Sequence, residues 1–303
     1  MKQRRAVVVT RPTELELLLE RHGTRGQAAF HLSSRGGRIE EVEERHHVTM
    51  AAVARVSGAI PLSFRRARVK RSDLDRFLFE PEDVVFAVGQ DGLVANVAKY
   101  LSGQIVIGLN PSRALFDGVL VRKSLDDLGP LFGALEAGDP PVEERAMVSA
   151  RIANGSAIVA LNEVFVGHVG HQSARYVLRR RGSSSVDPQE AAERQSSSGL
   201  IVSTGTGATG WASSVARERK GDVPLPAVAS TDLVFLVREA FASVRTGTSL
   251  TQGVLRPGES IEVRWEMEDG VVFGDGIEKD RLSLSFGEVV TVARAETRLR
   301  LAL

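Results

Sequence analysis

Apolar residues follow two rhythms along the chain. Up to about residue 125, continuous apolar runs alternate with stretches in which leucine, valine and isoleucine recur every three or four positions; past Pro140-Pro141 the runs are short and closely spaced. A short apolar run between turn formers reads as a strand buried on both faces, and the longer period as the apolar stripe of a helix. Residues 6–10 therefore predict a strand, and Pro12 with the Thr13 and Glu16 pair predicts a capped helix ending near Arg21. Residues 24–37, punctuated by Gly26, Gly36 and Gly37, predict a polar connection. A helix over 39–56, a strand over 62–69 and a short helix capped by Ser72 and ended by Pro81 follow. Residues 84–88 predict a strand, 93–101 a helix and 105–110 a strand. Such alternation, with crossovers long enough for parallel pairing, implies a doubly wound α/β sheet.

The second half reads as β-rich. Strands are expected over 146–152 and 157–165, joined by Asn154-Gly155, a pair suited to a tight turn with positive φ at both positions. Others are expected at 174–178, 200–204, 233–237, 260–265, 271–273, 281–286 and 289–293. Residues 182–198 carry three serines at each end and predict an exposed loop.

Composition narrows the partners. With 303 residues and 43% hydrophobic content there is material for two cores. Lys+Arg number 39 against 38 Asp+Glu, a net charge of +1, and no run of like charge exceeds Arg179-Arg180-Arg181. No stripe for a nucleic acid is expected. The absence of cysteine excludes disulfides, thiol catalysis and cysteine zinc sites. Residues 1–5 enter the first strand at once and no apolar run approaches the length of a membrane span, so a cytoplasmic protein without a membrane partner is expected.

Candidate chemistry concentrates at strand ends. The strand over 84–88 runs into Gly89-Gln90-Asp91-Gly92, a turn that would lie at the carboxyl end of a parallel sheet and face the positive end of the next helix. Its one ionisable side chain, Asp91, suits a general base acting on a hydroxyl that attacks a phosphate, or equally an Asx turn capping the helix. Asn162-Glu163 ends an otherwise apolar run; an amide beside a carboxylate can hold the two hydroxyls of a ribose, or simply close a solvated strand. Thr204-Gly205-Thr206-Gly207-Ala208-Thr209-Gly210-Trp211 spells a Gly-x-Gly-x-x-Gly, but its antiparallel surroundings argue for a ligand-facing loop rather than a Rossmann turn. His46-His47, adjacent on a helix, make a poor metal pair, His168 and His171 read as a solvated loop, and Asp275-Gly276 reads as a turn. No metal site is expected from the protein's own side chains.

In order and spacing these residues resemble one family, the NAD kinases, and within it the mitochondrial-type branch. The resemblance rests on the Gly-x-Asp-Gly turn at Gly89–Gly92, Gly108-Leu109-Asn110 at a strand end, Asn162-Glu163, and the Thr-Gly-Thr-Gly loop with Trp211. Branch-like features are Glu44-Arg45-His46-His47, Ser197-Ser198-Gly199-Leu200 and Val237-Arg238-Glu239. It implies an α/β domain over 1–138, a β-sandwich-like domain over 139–288, a tail over 289–303 returning to the first, and a site between the two. The implied activity is ATP-dependent phosphorylation of the 2′-hydroxyl of the adenosine ribose of NAD, with Mg²⁺ or a similar ion, in a homodimer. Asp91 matches the base. Gly89, Gln90, Gly92 and Asn110 match the nucleotide-binding strand ends, Asn162 and Glu163 would grip ribose hydroxyls, and Thr206, Thr209 and Trp211, with Thr204 at the start of their loop, would line the adenine and nicotinamide pockets.

The chain departs from the family pattern at three places. Gln90 replaces the second glycine of the turn, Leu93 stands where threonine is usual, and Ser198 stands where most members carry aspartate. If position 90 needs positive φ, its side chain stores about 1–3 kcal/mol of strain; otherwise its amide reaches a phosphate or obstructs one. The alternative to an active kinase is therefore a catalytically silent NAD(P)-binding protein of the same fold.

Overall fold

The continuous apolar runs of the first half form parallel strands, and those of the second half, whether continuous or alternating, form antiparallel ones. The structure, a computed structural model, describes residues 3–114, 118–138, 140–182, 192–219 and 223–303. It divides into two compact units, Met1–Glu143 with Arg300–Leu303, and Glu144–Leu299.

The first unit contains β1 (Arg5–Thr10), α1 (Glu14–His22), α2 (Arg25–Ser33), α3 (Ile39–Ala59), β2 (Arg65–Lys70), β3 (Val84–Val88), α4 (Asp91–Ala98), β4 (Ile105–Leu109) and α5 (Leu128–Ala137). Its strands pair in parallel in the order β2-β1-β3-β4. Strands β1, β3 and β4 are buried on both faces, while the edge strand β2 is mostly exposed. Ala6, Val8, Val84, Phe86, Val88 and Ile107 pack with Val53, Val56, Leu131, Phe132 and Leu135 of α3 and α5, while α4 lies against β1, β3 and β4. This is the doubly wound arrangement that the apolar runs imply.

Several expectations change. Residues 24–37 are not a connection but hold α2, capped by Thr24, whose hydroxyl accepts the Gln27 N–H. Its stripe is short: Ala28 packs, with Leu32, among Leu15, Ile39 and Val42, and the flanking glycines masked it. Ser72 caps nothing; a 3₁₀ turn over Arg71–Arg76 follows Lys70, and Leu78 stands exposed beyond it. Helix α4 starts at Asp91 rather than Leu93.

The second unit carries β5 (Val142–Ile152), β6 (Ala157–Ala160), β7 (Glu163–His168), β8 (Ala174–Arg181), β9 (Ala192–Ser197), β10 (Leu200–Thr204), α6 (Trp211–Glu218), β11 (Leu233–Val237), β12 (Gln252–Leu255), β13 (Ser260–Trp265), β14 (Gly270–Gly274), β15 (Ile277–Leu284) and β16 (Val289–Ala302). One antiparallel sheet runs β12-β11-β10-β7-β14-β15. In a second, β13 pairs with β16 and β8, β8 with β9, and β5 with β16 and β6. Val164, Val166, Val202 and Phe235 of the first meet Tyr176, Ile261, Val263, Trp265 and Val290 of the second in one core, the sandwich expected for this half. The end of β16 belongs to the first unit, where Arg300 and Leu301 pair in parallel with Ile105 and Val106.

Here too details differ. The run over 157–165 breaks into β6 and β7 around Leu161-Asn162. Of the loop expected over 182–198, residues 183–191 lie outside the described residues, and 192–197 form β9. Strand β12 was not anticipated. At Asn154-Gly155 only the glycine has positive φ, and the Asn154 side chain instead accepts the Ser156 N–H at 2.8 Å. The two-residue turn with both φ positive occurs at Asp275 (53°) and Gly276 (66°), between β14 and β15.

Candidate active site

Strand β3 delivers the chain to Gly89, whose φ of 154° is closed to other residues. Its N–H donates to the Leu109 carbonyl at 3.0 Å, tying the ends of β3 and β4 together. Gln90 follows at φ −107°, ψ 166°, ordinary extended backbone, so its side chain is carried without backbone strain. It occupies the N-cap of α4 but makes no side-chain cap bond. Its amide oxygen instead accepts a hydrogen bond from the Arg11 guanidinium at 2.8 Å. Gly92 lies exposed in the first turn of α4.

Asp91 does not cap its helix either. Its carboxylate accepts the backbone N–H groups of Val119 (2.7 Å), Leu120 (2.9 Å) and Val121 (3.0 Å). A carboxylate offers about four acceptor positions, so about one is left for a substrate hydroxyl. The strap it holds runs along β4: Lys123 donates to the Gly108 carbonyl at 3.1 Å and Asn110 to the Lys123 carbonyl at 2.9 Å. A Cβ on Gly108 would lie 2.2 Å from the Leu120 carbonyl oxygen, so the glycine of Gly108-Leu109-Asn110 is required by this close approach. Asn110 is buried, and its side-chain oxygen accepts the Ser112 N–H at 3.0 Å.

In the second unit the corner between β6 and β7 is held by Asp275. Its carboxylate accepts the N–H groups of Leu161 (2.9 Å), Asn162 (2.7 Å) and Glu163 (3.4 Å), and its own N–H donates to the Glu163 carbonyl at 3.1 Å. The Thr204 loop closes on the same corner. Thr204 donates its N–H to the Asn162 carbonyl at 2.9 Å and its hydroxyl to the Leu161 carbonyl at 2.7 Å. A Cβ on Gly207 would meet the Asn162 carbonyl oxygen at 2.2 Å. This glycine therefore admits the protein's own backbone, where a Rossmann glycine admits a pyrophosphate, and β10 pairs antiparallel on both sides.

Around that corner, Thr206 is buried and its hydroxyl has no partner among the described residues. Exposed Thr209 donates its hydroxyl to the Thr206 carbonyl at 2.9 Å. Trp211 opens α6, stacks on Phe165 at 5.8 Å between ring centroids, and carries the Arg238 guanidinium 5.3 Å from its own. Ser198 sits at the opposite end of β10 from Thr204, its N–H donating to the Arg238 carbonyl at 2.9 Å. Asn162, Glu163, Thr204 and Thr206 thus share a corner that excludes Ser198. Burial, followed by the negative charge of Asp275, pushes the Glu163 carboxyl up to about 7.

Sequence reasoning missed Arg11 and the bracing role of Asp275, and it met Arg238 only within a branch-like motif, without its place over the Trp211 ring. Asp275-Gly276 was legible as a turn, but not that its carboxylate braces Asn162-Glu163; a lone arginine after a strand gives no signal. His46 is partly buried and His47 exposed, yet their rings do not part as expected: they meet edge-on with centroids 5.6 Å apart, and His46 Nδ1 lies 2.7 Å from the Thr13 hydroxyl. His168 ends β7 away from Glu163 and accepts the Gly170 N–H at 2.9 Å. Among the described residues no group of three His, Cys, Asp or Glu could hold a metal ion, and no helix is long and apolar enough to cross a membrane.

No family model matches the chain. An NAD kinase from Methylococcus capsulatus is 31% identical over 216 residues, 68% of this chain and 69% of the relative. A probable NADH kinase from Oryza sativa subsp. japonica is 26% identical over 227 residues, 69% of this chain and 67% of the relative. The crystal structure of an NAD kinase from Archaeoglobus fulgidus in complex with ATP aligns with a TM-score of 0.57 and 20% identity, covering 99% of this chain and 93% of that one, a likeness of fold. With the fold shared along the whole chain and sequence identity above 30% over two thirds of a relative, the chain belongs to the NAD kinase family.

Proposed function

We propose that the protein phosphorylates NAD to NADP with ATP as donor. The oxygen of the 2′-hydroxyl of the adenosine ribose attacks the γ-phosphorus of ATP; a new O–P bond forms, the bond to the β,γ-bridging oxygen breaks, and ADP leaves. Asp91 takes the hydroxyl proton through its remaining acceptor position. A Mg²⁺ ion would come in with the ATP and would offset the charge that develops on the phosphoryl group being transferred. Asn162 and Glu163 hold ribose hydroxyls, and Thr204, Thr206, Thr209 and Trp211 contact the dinucleotide. Gly89, Gln90, Gly92 and Asn110 belong to the nucleotide-binding ends of β3 and β4, and Ser198 borders the Trp211 side. The resemblance also supports a cytoplasmic homodimer acting on small nucleotides.

The observation that carries this reading is the braced Asn162-Glu163 corner, where one aspartate fixes three successive peptide groups and leaves the amide and carboxyl side chains to a ligand. Binding the diol of a ribose needs that rigidity. The test is incubation of the pure protein with ATP, Mg²⁺ and NAD, reading NADP with a dehydrogenase specific for it. NADP is expected to accumulate; NAD binding without NADP formation would place the chain with silent binders instead.

A further inference from the structure

The order β2-β1-β3-β4 reverses between β1 and β3, and open α/β sheets bind ligands outside the carboxyl ends of their strands at such a point. Here the two strands lead into Arg11 and Gln90, whose side chains bond to each other at 2.8 Å. A cavity of about 340 Å³ opens beside them, lined also by Thr13, Arg45 and His46. That volume falls in the range of small-molecule sites.

The charges around the cavity differ in their commitments. Arg45 pairs with Glu14 at 2.7 Å, and His46 shares its Nδ1 with Thr13. Arg11 is exposed, has no carboxylate partner among the described residues, and uses one N–H on an uncharged amide. A guanidinium has five N–H donors and no acceptor, so the amide oxygen of Gln90 must face it and the amide nitrogen must face away. Gln90 therefore presents N–H donors rather than a lone-pair oxygen to whatever enters the turn. An oxygen there would repel a phosphate; an N–H₂ beside a guanidinium attracts one.

We propose that Arg11 and Gln90 act as one unit that binds the phosphates of the phosphoryl donor, Arg11 supplying charge and fixing the amide, Gln90 supplying donors where the family turn has glycine. The proposal rests on the kinase reading above. It makes Gln90 an adaptation of the turn rather than an obstruction.

The test uses Arg11→Ala, Gln90→Ala and the double variant, with ATP and NAD varied separately. Each single change is expected to raise KM for ATP by about tenfold to a hundredfold, the range for one charge-assisted hydrogen bond, with KM for NAD nearly unchanged. The double variant should lose less than the product of the singles, because without Arg11 the amide is no longer oriented. Arg11→Lys, which keeps the charge without the planar fork, should recover part of the loss. Unchanged KM for ATP in Arg11→Ala, a lower one in Gln90→Ala, or singles that multiply independently would overturn the clamp. Calorimetry with ATP alone separates this from the parent reading: if the wild type forms no NADP, the kinase assignment fails, while the clamp stands or falls on whether the variants lose ATP binding.

Discussion

The half-buried carboxyl group of Glu163 lies in the field of Asp275, the same side chain that accepts the Glu163 backbone N–H. Burial chiefly, and that charge second, raise it from an ordinary 4.5 to about 7. Between these values the unfolded chain is ionised at this residue while the folded protein is protonated. The contribution to stability is therefore complete below about 4.5 and is lost as pH rises through about 7. At about 1.36 kcal/mol per unit the loss is roughly 3 kcal/mol. Glu163→Gln should remove it: urea unfolding at pH 5 and pH 8 is expected to show the variant gaining on the wild type at the higher pH. Equal pH slopes in the two proteins would mean Glu163 titrates as an exposed carboxyl.

The same titration should reach binding. A carboxylate accepts ribose hydroxyls through charge-assisted bonds about twice as strong as those of a neutral acid. NAD affinity is therefore expected to rise with pH through about 7 in the wild type and to stay flat in Glu163→Gln. Calorimetric titration across that interval decides it; parallel curves would remove Glu163 from the ribose contacts.

Asp91 combines a brace with the proposed base. Asp91→Asn is expected to lower turnover by about 10² to 10⁴, the range for loss of a general base, with NAD binding nearly intact. It should also cost about 1–3 kcal/mol of stability, because an amide nitrogen would face one of the three N–H donors of residues 119–121. Gly108→Ala separates the roles by displacing Leu120 while leaving the carboxylate in place. If both variants lose turnover in proportion to lost stability, the brace accounts for the whole effect and Asp91 is no base.

Much of this architecture was legible because apolar patterning reports burial directly. The runs at 84–88, 200–204, 233–237 and 260–265 become strands β3, β10, β11 and β13 at the same boundaries. Sequence spacing could also place Asp91 and Asn110 after neighbouring strands. It could not show what the polar groups bond to. The Asp91 carboxylate reaches a strap 28 residues away, and the Asp275 carboxylate a corner 113 residues away, and such pairings leave no local trace. Helix α2 escaped for a different reason: its burial rests on little more than Ala28 and Leu32, too small a stripe to outweigh the surrounding glycines.

Trp211 offers a direct readout of the proposed dinucleotide pocket. The chain has two tryptophans, and Trp265 is fully buried in the sandwich core, shielded from any ligand. Trp211 is partly exposed at the start of α6, between the Phe165 ring and the Arg238 guanidinium. A dinucleotide arriving beside its indole must change the polarity or stacking around it, and so its emission. Titrating NAD should therefore shift fluorescence in the wild type and in Trp265→Phe, and the response should vanish in Trp211→Phe while calorimetry still records binding. If the emission change survives in Trp211→Phe, the ligand is sensed at Trp265 through a change in the core, and the pocket lies elsewhere than beside α6.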